Sequence, residues 1–256
     1  MTLTPSMFLL VCPFLFLAGF VDSIAGGGGL ISMPIYLLAG LPPHTAVATN
    51  KLSSTCGTAL TTVRFIKNRL INLKLALPSI AAAIIGSTLG ARISILLSEA
   101  ILRRTIICVL PVAAFFVLNR RLFHEEGEGQ AQISVRTLTV ATVSAFVIGM
   151  YDGMYGPGTG SFLIIAFTVF AKLPVKTANA QAKIINLTSN VTALTVFLLE
   201  GKALIPLGLA AAVCNMAGNY AGSGLVMTKG GKIVRPLLLV VLAVLFIKLV
   251  YESLRI

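Results

Sequence analysis

Long apolar runs cover almost the entire chain and are separated only by short stretches of glycine, proline and charge. A helix needs about 20 apolar residues to cross a bilayer. The sequence is 57% hydrophobic and 11% charged, whereas a soluble domain averages about 45–50% apolar and about 25% charged residues. Membrane barrel strands alternate apolar and polar residues, and runs such as 237–249 do not. The sequence therefore excludes a water-soluble globule and predicts an all-α polytopic membrane protein.

Turn and charge signals divide the chain into ten apolar segments. They cover, approximately, residues 5–22, 29–40, 44–65, 74–97, 101–119, 133–151, 160–172, 176–199, 203–227 and 232–252. The second and seventh are short, and each follows a glycine-rich stretch. The hydrophilic stretch 120–132 predicts a linker between a first transmembrane repeat at 1–119 and a second at 133–256. Each repeat is expected to hold four long helices and one short or re-entrant helix.

The chain carries a net charge of +12, from 20 Lys and Arg against 8 Asp and Glu. Most of these charges lie between apolar runs, where basic residues set membrane topology. No basic face interleaved with aromatic residues occurs, so we expect no nucleic-acid partner. The four cysteines are far apart and form no CxxC motif, so the sequence suggests neither a zinc site nor a disulfide framework, and we expect no metal and no cofactor.

The two halves share an ordered set of matching residues. Gly19, Asp22, Gly26 and Gly28 recur 130 residues later, and residues 41–51 match residues 173–183 at six of eleven positions with an offset of 132. The same order of signals in both halves indicates a duplicated unit of about 130 residues. Internal duplication in a polytopic chain is typical of secondary transporters.

The orientation of the repeats depends on whether the short segments span the membrane. If all ten segments cross, each half has five crossings and the second repeat is inverted, with both termini outside. One face then receives eleven Lys and Arg and the other five, and the basic loop 64–74 has a nearly neutral counterpart at 198–204. If the short segments re-enter, the repeats are parallel and this charge difference is less clear. We favour inverted repeats.

Four charged residues fall inside apolar segments, as two repeat-related pairs: Asp22 with Asp152, and Lys51 with Lys183. A charge at the centre of a membrane helix costs at least about 2.5–3.5 kcal/mol. One interpretation is that each aspartate pairs with a lysine and holds helices together. The other is that both lysines line a central cavity that selects anions. The aspartates would then orient the lysines or carry protons, since burial favours the protonated form of a carboxylate.

Two glycine-rich breaks follow the aspartates. The first contains Gly26, Gly27, Gly28 and Gly29, and the second contains Gly156, Gly158 and Gly160. Each glycine costs about 1 kcal/mol relative to alanine in a helix, so irregular backbone is expected. Inside a membrane such backbone persists only where it is buried in protein or lines a cavity. The short segment that follows would present free N–H groups and a positive dipole end to an anion. Close helix packing through small residues is the alternative.

Polar residues accompany both lysines at helical spacing. Asn50 and Ser54 lie near Lys51, and Asn186 and Asn190 follow Lys183. One face of each helix is therefore expected to be wet or hydrogen-bonded. These residues are candidates for polar substrate contacts, and hydrogen bonding between helices is the alternative.

The stretches GFVDSIAGGGGL, ATNKL, GMYDGMYGPGTGSF and AQAKIINLTSN resemble the TauE/SafE sulfite exporter family, and within it the YfcA-like bacterial branch. The resemblance covers nearly the whole chain. It implies a multi-pass protein of the bacterial inner membrane that moves small sulfur-containing anions such as sulfite or sulfoacetate. The second glycine block departs from the first, with Pro157 and Thr159 where the first has glycines. The two halves are therefore expected to contribute unequally.

Together these observations predict a secondary transporter of a small anion, a sulfur oxyanion or organosulfonate, working by alternating access with proton coupling. A passive anion channel and a non-transporting membrane scaffold are the alternatives. The sequence holds no HExxH or GxSxG motif, so we expect no enzyme. The expected partners are the anion and the lipid bilayer, and the oligomeric state is left open.

Overall fold

The computed structural model describes residues 3–98, 101, 134–229, 232–233 and 236–237. The predicted linker 120–132, most of the predicted segment 101–119 and most of 232–252 lie outside this range. The described residues form eight α-helices and no strand. They are α1 (Pro5–Ala25), α2 (Gly29–Leu38), α3 (Pro43–Lys67), α4 (Leu73–Leu96), α5 (Val135–Met154), α6 (Thr159–Val169), α7 (Val175–Leu199) and α8 (Ile205–Lys229).

Four of these helices, α1, α4, α5 and α7, are long and apolar enough to cross a membrane. The helices α3 and α8 have 25 residues each, as does α7, and α3 carries more polar side chains than α7. Large apolar side chains are exposed on the outer surface, among them Leu9, Leu77, Leu199 and Val213. Polar residues are instead buried, as expected where lipid surrounds the protein. The protein is therefore a multi-pass membrane protein.

Small residues let the long helices pack closely against one another. A Cβ atom on Gly86 would lie 2.2 Å from the carbonyl oxygen of Phe146, and one on Gly218 would lie 1.9 Å from that of Phe16. These contacts join α4 to α5 and α1 to α8. Gly90 and Gly222, four residues further along the same helices, make equally close approaches, so this glycine spacing serves close helix packing.

The order of contacts gives the direction of each helix. Two helices run in the same direction when residues further along one contact residues further along the other. This holds for α1 and α8, where Leu15 contacts Asn215 and Ser23 contacts Gly222. It also holds for α3 and α8, where Thr49 contacts Leu204 at the start of α8 and Thr61 contacts Asn219. The same holds for α4 and α5, where Ala83 contacts Gly149 and Ser87 contacts Gly153. It holds for α4 and α7 as well, where Asn72, just before α4, contacts Gln181 and Ser87 contacts Ser189. Hence α1, α3 and α8 run one way. Since a tight turn joins α3 to α4, the helices α4, α5 and α7 run the other way.

The short helices carry the chain back within each half. Because α1 and α3 run in the same direction, α2 and the turn that follows must return the chain between them. With 10 residues α2 is about 15 Å long, roughly half of a hydrocarbon core. The 11-residue helix α6 makes the same return between α5 and α7.

Candidate functional site

The end of α1 is irregular, but all of its backbone carbonyls have partners. Gly26 adopts a left-handed conformation with φ 71° and ends the helix. The carbonyl of Asp22 accepts from the Gly26 amide, and the next two carbonyls, at residues 23 and 24, both accept from the Asn179 side chain. The carbonyl at residue 25 accepts from the Ser161 hydroxyl, and that of Gly26 accepts from the Ser161 amide. A carbonyl without a partner is costly inside a membrane, so this complete set of bonds holds the break in place.

The end of α5 is organised differently. Gly156 adopts φ 94°, and the amide of Thr159 donates to the Gly156 carbonyl. The Thr159 hydroxyl lies 2.7 Å from Asp152 Oδ1, and the Tyr151 hydroxyl donates to the Pro157 carbonyl. Pro157 and Thr159 are the residues at which the second glycine block departs from the first. Thr159 supplies a hydroxyl to Asp152 and Pro157 supplies a carbonyl to Tyr151, so the departure adds hydrogen bonds that hold the second break.

The two breaks meet at the centre of the fold. A Cβ atom on Gly26 would lie 2.2 Å from the carbonyl carbon of Gly160. A Cβ atom on Gly29 would lie 2.9 Å from the Cα of Pro157. Glycine at residue 26 is thus required twice, for its left-handed backbone and for this close approach.

Lys51 forms an ion pair with the aspartate of the other half. Its Nζ lies 2.8 Å from Asp152 Oδ2 and donates to Asn190 Oδ1 at 2.9 Å. Asp152 also accepts from Ser189 at 2.6 Å. The Lys51 and Asp152 side chains are only 1% and 2% exposed. A buried ion pair is tolerated when further hydrogen bonds reach its charged groups, and here Asn190 and Ser189 provide them.

Lys183 forms the matching ion pair with Asp22, at 2.7 Å. The Asp22 side chain is 13% exposed, well above the value for Asp152. Within the described residues, the Asp22 carboxylate accepts from Lys183 alone, whereas three groups donate to the Asp152 carboxylate. The two pairs therefore occupy matching positions in the sequence, but Asp22 is more exposed and accepts fewer hydrogen bonds than Asp152.

A small cavity of about 20 Å³ lies between the breaks and the first ion pair. Its walls come from both halves and from both glycine-rich breaks. They consist of Asp22, Gly26, Gly29, Asn50, Lys51, Ser54, Asp152, Gly156, Thr159, Gly160, Asn186 and Asn190. This volume holds about one water molecule. The helices must therefore separate before a larger solute can enter.

Most of the residues singled out from the sequence line this one cavity. Lys183, Gly27, Gly28 and Gly158 are not among the lining residues. Both lysines are buried, but each is neutralised by an aspartate, so the geometry matches the pairing interpretation and leaves no net excess of lysine charge. Thr159 lines the cavity and was not predicted as a site residue, although the sequence marked it as a departure from the first glycine block.

Both short helices begin at the cavity. Gly29 is the first residue of α2 and Gly160 the second of α6, and both line the cavity. Their amides donate to no acceptor among the described residues. Helix N-termini carry a partial positive charge of about half a unit. In the described part of the chain, no cluster of three or more His, Cys, Asp or Glu side chains could hold a metal ion.

Comparisons with known proteins place the chain in a family. The family model of the sulfite exporter TauE/SafE matches residues 11–249. The chain is 37% identical to the probable membrane transporter protein YfcA of Escherichia coli K12, over 93% of this chain and 87% of the relative. It is also 37% identical to the probable membrane transporter protein ORF9 of a Sinorhizobium species, over 93% and 90%.

A further relative is a probable membrane transporter protein of Haemophilus influenzae, 32% identical over 93% of this chain and 92% of its own length. No solved structure matches. The comparisons confirm the resemblance drawn from the sequence motifs and the prediction of a transporter rather than an enzyme. The chain belongs to the TauE/SafE sulfite exporter family of membrane transporters.

Proposed function

We propose that the protein is a secondary transporter of a small anion, a sulfur oxyanion or organosulfonate, and that the cavity between the glycine-rich breaks is its binding chamber. Two halves of opposite orientation alternately open this chamber to each side of the membrane. Proton uptake by the aspartates accompanies the anion. The observation that carries the proposal is the meeting of two helix N-termini and a buried lysine at one cavity.

The helix directions support the inverted arrangement. Under the sequence match, α1 corresponds to α5, α3 to α7 and α4 to α8. In each of these three pairs the partners run in opposite directions. A unit repeated upside down gives this result, and binding sites near the interface of inverted repeats are common in secondary transporters.

The charges around the cavity favour an anion that arrives with a proton. The formal charges of the two aspartates and two lysines cancel. The partial positive charges of the two helix N-termini therefore make the electrostatic potential in the cavity positive. When Asp152 takes up a proton, the Lys51 ammonium loses its counterion. It can then bind an incoming anion instead, so one proton and one negative charge enter together.

The donors suit an oxyanion. Ammonium, amide and hydroxyl groups line the cavity through Lys51, Asn190 and Thr159. Charge-assisted hydrogen bonds from such donors to anionic oxygens are short and strong. The description of the matching family as sulfite exporters supports sulfur oxyanions as the substrate class.

Flux through purified protein in liposomes tests this function. Labelled sulfite, thiosulfate and sulfoacetate are offered with and without an inward proton gradient, while an internal dye reports pH. We expect at least one of these anions to be taken up with protons, and the gradient to drive accumulation. Electrogenic flux that ignores the proton gradient would instead identify a passive channel. No flux of any of the anions would contradict the transport proposal.

A further inference from the structure

Three threonines continue the lysine-bearing face of α3 beyond the cavity. Thr55, Thr58 and Thr62 follow Lys51 at intervals of four, three and four residues, so they lie on the same face of the helix. Lys51 and Ser54 line the cavity, and Thr55 and Thr58 lie one turn further along. From Lys51 to Thr62 the stripe extends about 16 Å along the axis. We call Thr55, Thr58 and Thr62 the hydroxyl track.

The hydroxyls of the track are buried without a partner among the described residues. Thr58 is 0% exposed and Thr62 is 2% exposed. A helical threonine ordinarily donates to a carbonyl in the preceding turn, and Thr88, Thr188 and Thr192 do so. The hydroxyls of the track make no such bond. A buried hydroxyl without a partner is unfavourable, so the track is built for a polar occupant that this conformation does not accommodate.

The matching face of α7 is different. The residues 132 positions after Thr55 and Thr62 are Leu187 and Leu194, both apolar. Asn190, which matches Thr58, is already bonded to Lys51 and Asn186. A row of buried hydroxyls without partners therefore leads away from the cavity along α3, and the matching positions of α7 do not repeat it.

Phe65 closes the far end of the track. It lies three residues beyond Thr62 on the same face, is 0% exposed and packs in a cluster with Ile24 and Val226. Beyond it are the basic residues Lys67, Arg69 and Lys74 of the loop that the charge distribution places on the cytoplasmic side. An aromatic side chain between a polar track and a basic membrane face has the position of a gate.

We propose that the hydroxyl track is the route by which water and a small anion pass between the cavity and the membrane face where α3 ends, with Phe65 as its outer gate. The nature of the solute rests on the proposed function, whereas the existence of an aqueous route does not. When Phe65 moves aside, the three hydroxyls and the Lys51 ammonium offer donors to an anion over the length of the track.

Accessibility of introduced cysteines tests the route without requiring transport. In a chain whose four native cysteines are replaced by alanine, Thr58→Cys and Thr62→Cys are compared with Leu187→Cys and Leu194→Cys on α7. A membrane-impermeant anionic thiosulfonate is added to inside-out and to right-side-out vesicles. Labelling is normalised to total thiol in denatured protein, so poor expression of one variant does not distort the comparison.

We expect both track cysteines to react about tenfold faster than the leucine-site cysteines from the side where α3 ends, since reaction depends on access to the thiol. Phe65→Ala should accelerate labelling of Thr58→Cys further. Equal rates at track and control sites overturn the proposal, as does faster reaction from the opposite side. It is also overturned if Thr58→Cys stays unreactive in the Phe65→Ala background. If the track labels as expected in a protein that carries none of sulfite, thiosulfate and sulfoacetate, the route is retained and the anion class proposed above is rejected.

Discussion

Lys51 Nζ lies 2.8 Å from Asp152 Oδ2, and this ion pair joins the third helix of the first half to the end of the first long helix of the second half. The second pair, Lys183 with Asp22, makes the reciprocal connection at 2.7 Å. Each half thus supplies the counterion of the other. A change in either pair therefore acts on the interface between the halves, which rearranges in the transport cycle that we propose.

Removing one member of the first pair should destabilise the protein strongly. Lys51→Met leaves Asp152 buried without its cation, and we expect a loss of about 3–5 kcal/mol in the free energy of unfolding. The double variant Lys51→Met/Asp152→Asn removes both charges and should recover most of that loss. Unfolding in detergent, followed by titration with denaturant, measures both. If the double variant is as unstable as the single one, the two charges do not stabilise one another.

The two aspartates should respond unequally to neutralisation. Asp152 accepts from Lys51, Ser189 and Thr159 and is 2% exposed, whereas Asp22 accepts from Lys183 and is 13% exposed. We therefore expect Asp152→Asn to cost about 2 kcal/mol more stability than Asp22→Asn, because more charge-assisted hydrogen bonds are lost. Parallel unfolding curves of the two variants test the difference. Equal losses would contradict the inequality of the two environments.

Gly26→Ala should be far more damaging than an alanine at another left-handed glycine. At residue 26 the new Cβ would lie 2.2 Å from backbone of Gly160. We expect a loss of about 3–5 kcal/mol from strain and overpacking together. Gly201 has φ 63° but nothing within 4 Å of a Cβ, so Gly201→Ala should cost about 1–2 kcal/mol for the backbone conformation alone. Similar losses for the two variants would show that the two breaks do not meet closely.

Much of this architecture was predictable from sequence because it depends on local signals. Apolar runs with turn and charge signals predicted the eight described helices to within a few residues of their ends, and the matching residues of the two halves singled out both lysines and both aspartates. The partner of each lysine was not predictable, since Lys51 and Asp152 are 101 residues apart in the chain and only tertiary packing brings them together. For the same reason the sequence did not show that Lys183 lies away from the cavity lining. Thr159 was missed because a hydroxyl after a glycine turn is a common local feature with no chemical signature of its own.

Neutralising the proposed proton carrier should separate flux from the proton gradient. With Asp152→Asn the side chain stays uncharged, so an inward proton gradient should no longer accelerate anion uptake. The exposed Glu200→Gln is the matched control and should leave the dependence on the gradient intact. Initial uptake rates with the external pH one unit below and one unit above the internal pH provide the comparison. A full response to the gradient in Asp152→Asn would assign proton coupling to another group.

The central claim, that the cavity with the buried lysine is where an anion is carried, is tested most directly by flux through the doubly neutral variant Lys51→Met/Asp152→Asn. The anion is whichever of sulfite, thiosulfate and sulfoacetate the unmodified protein carries. Its matched control is Lys202→Met/Glu200→Gln, which removes one exposed charge of each sign near the end of α7. We predict that the cavity variant is folded and loses at least about tenfold in uptake rate, the effect of about 1.4 kcal/mol or more in anion binding, while the control transports normally. Uptake by the folded cavity variant at the rate of the unmodified protein would contradict this account.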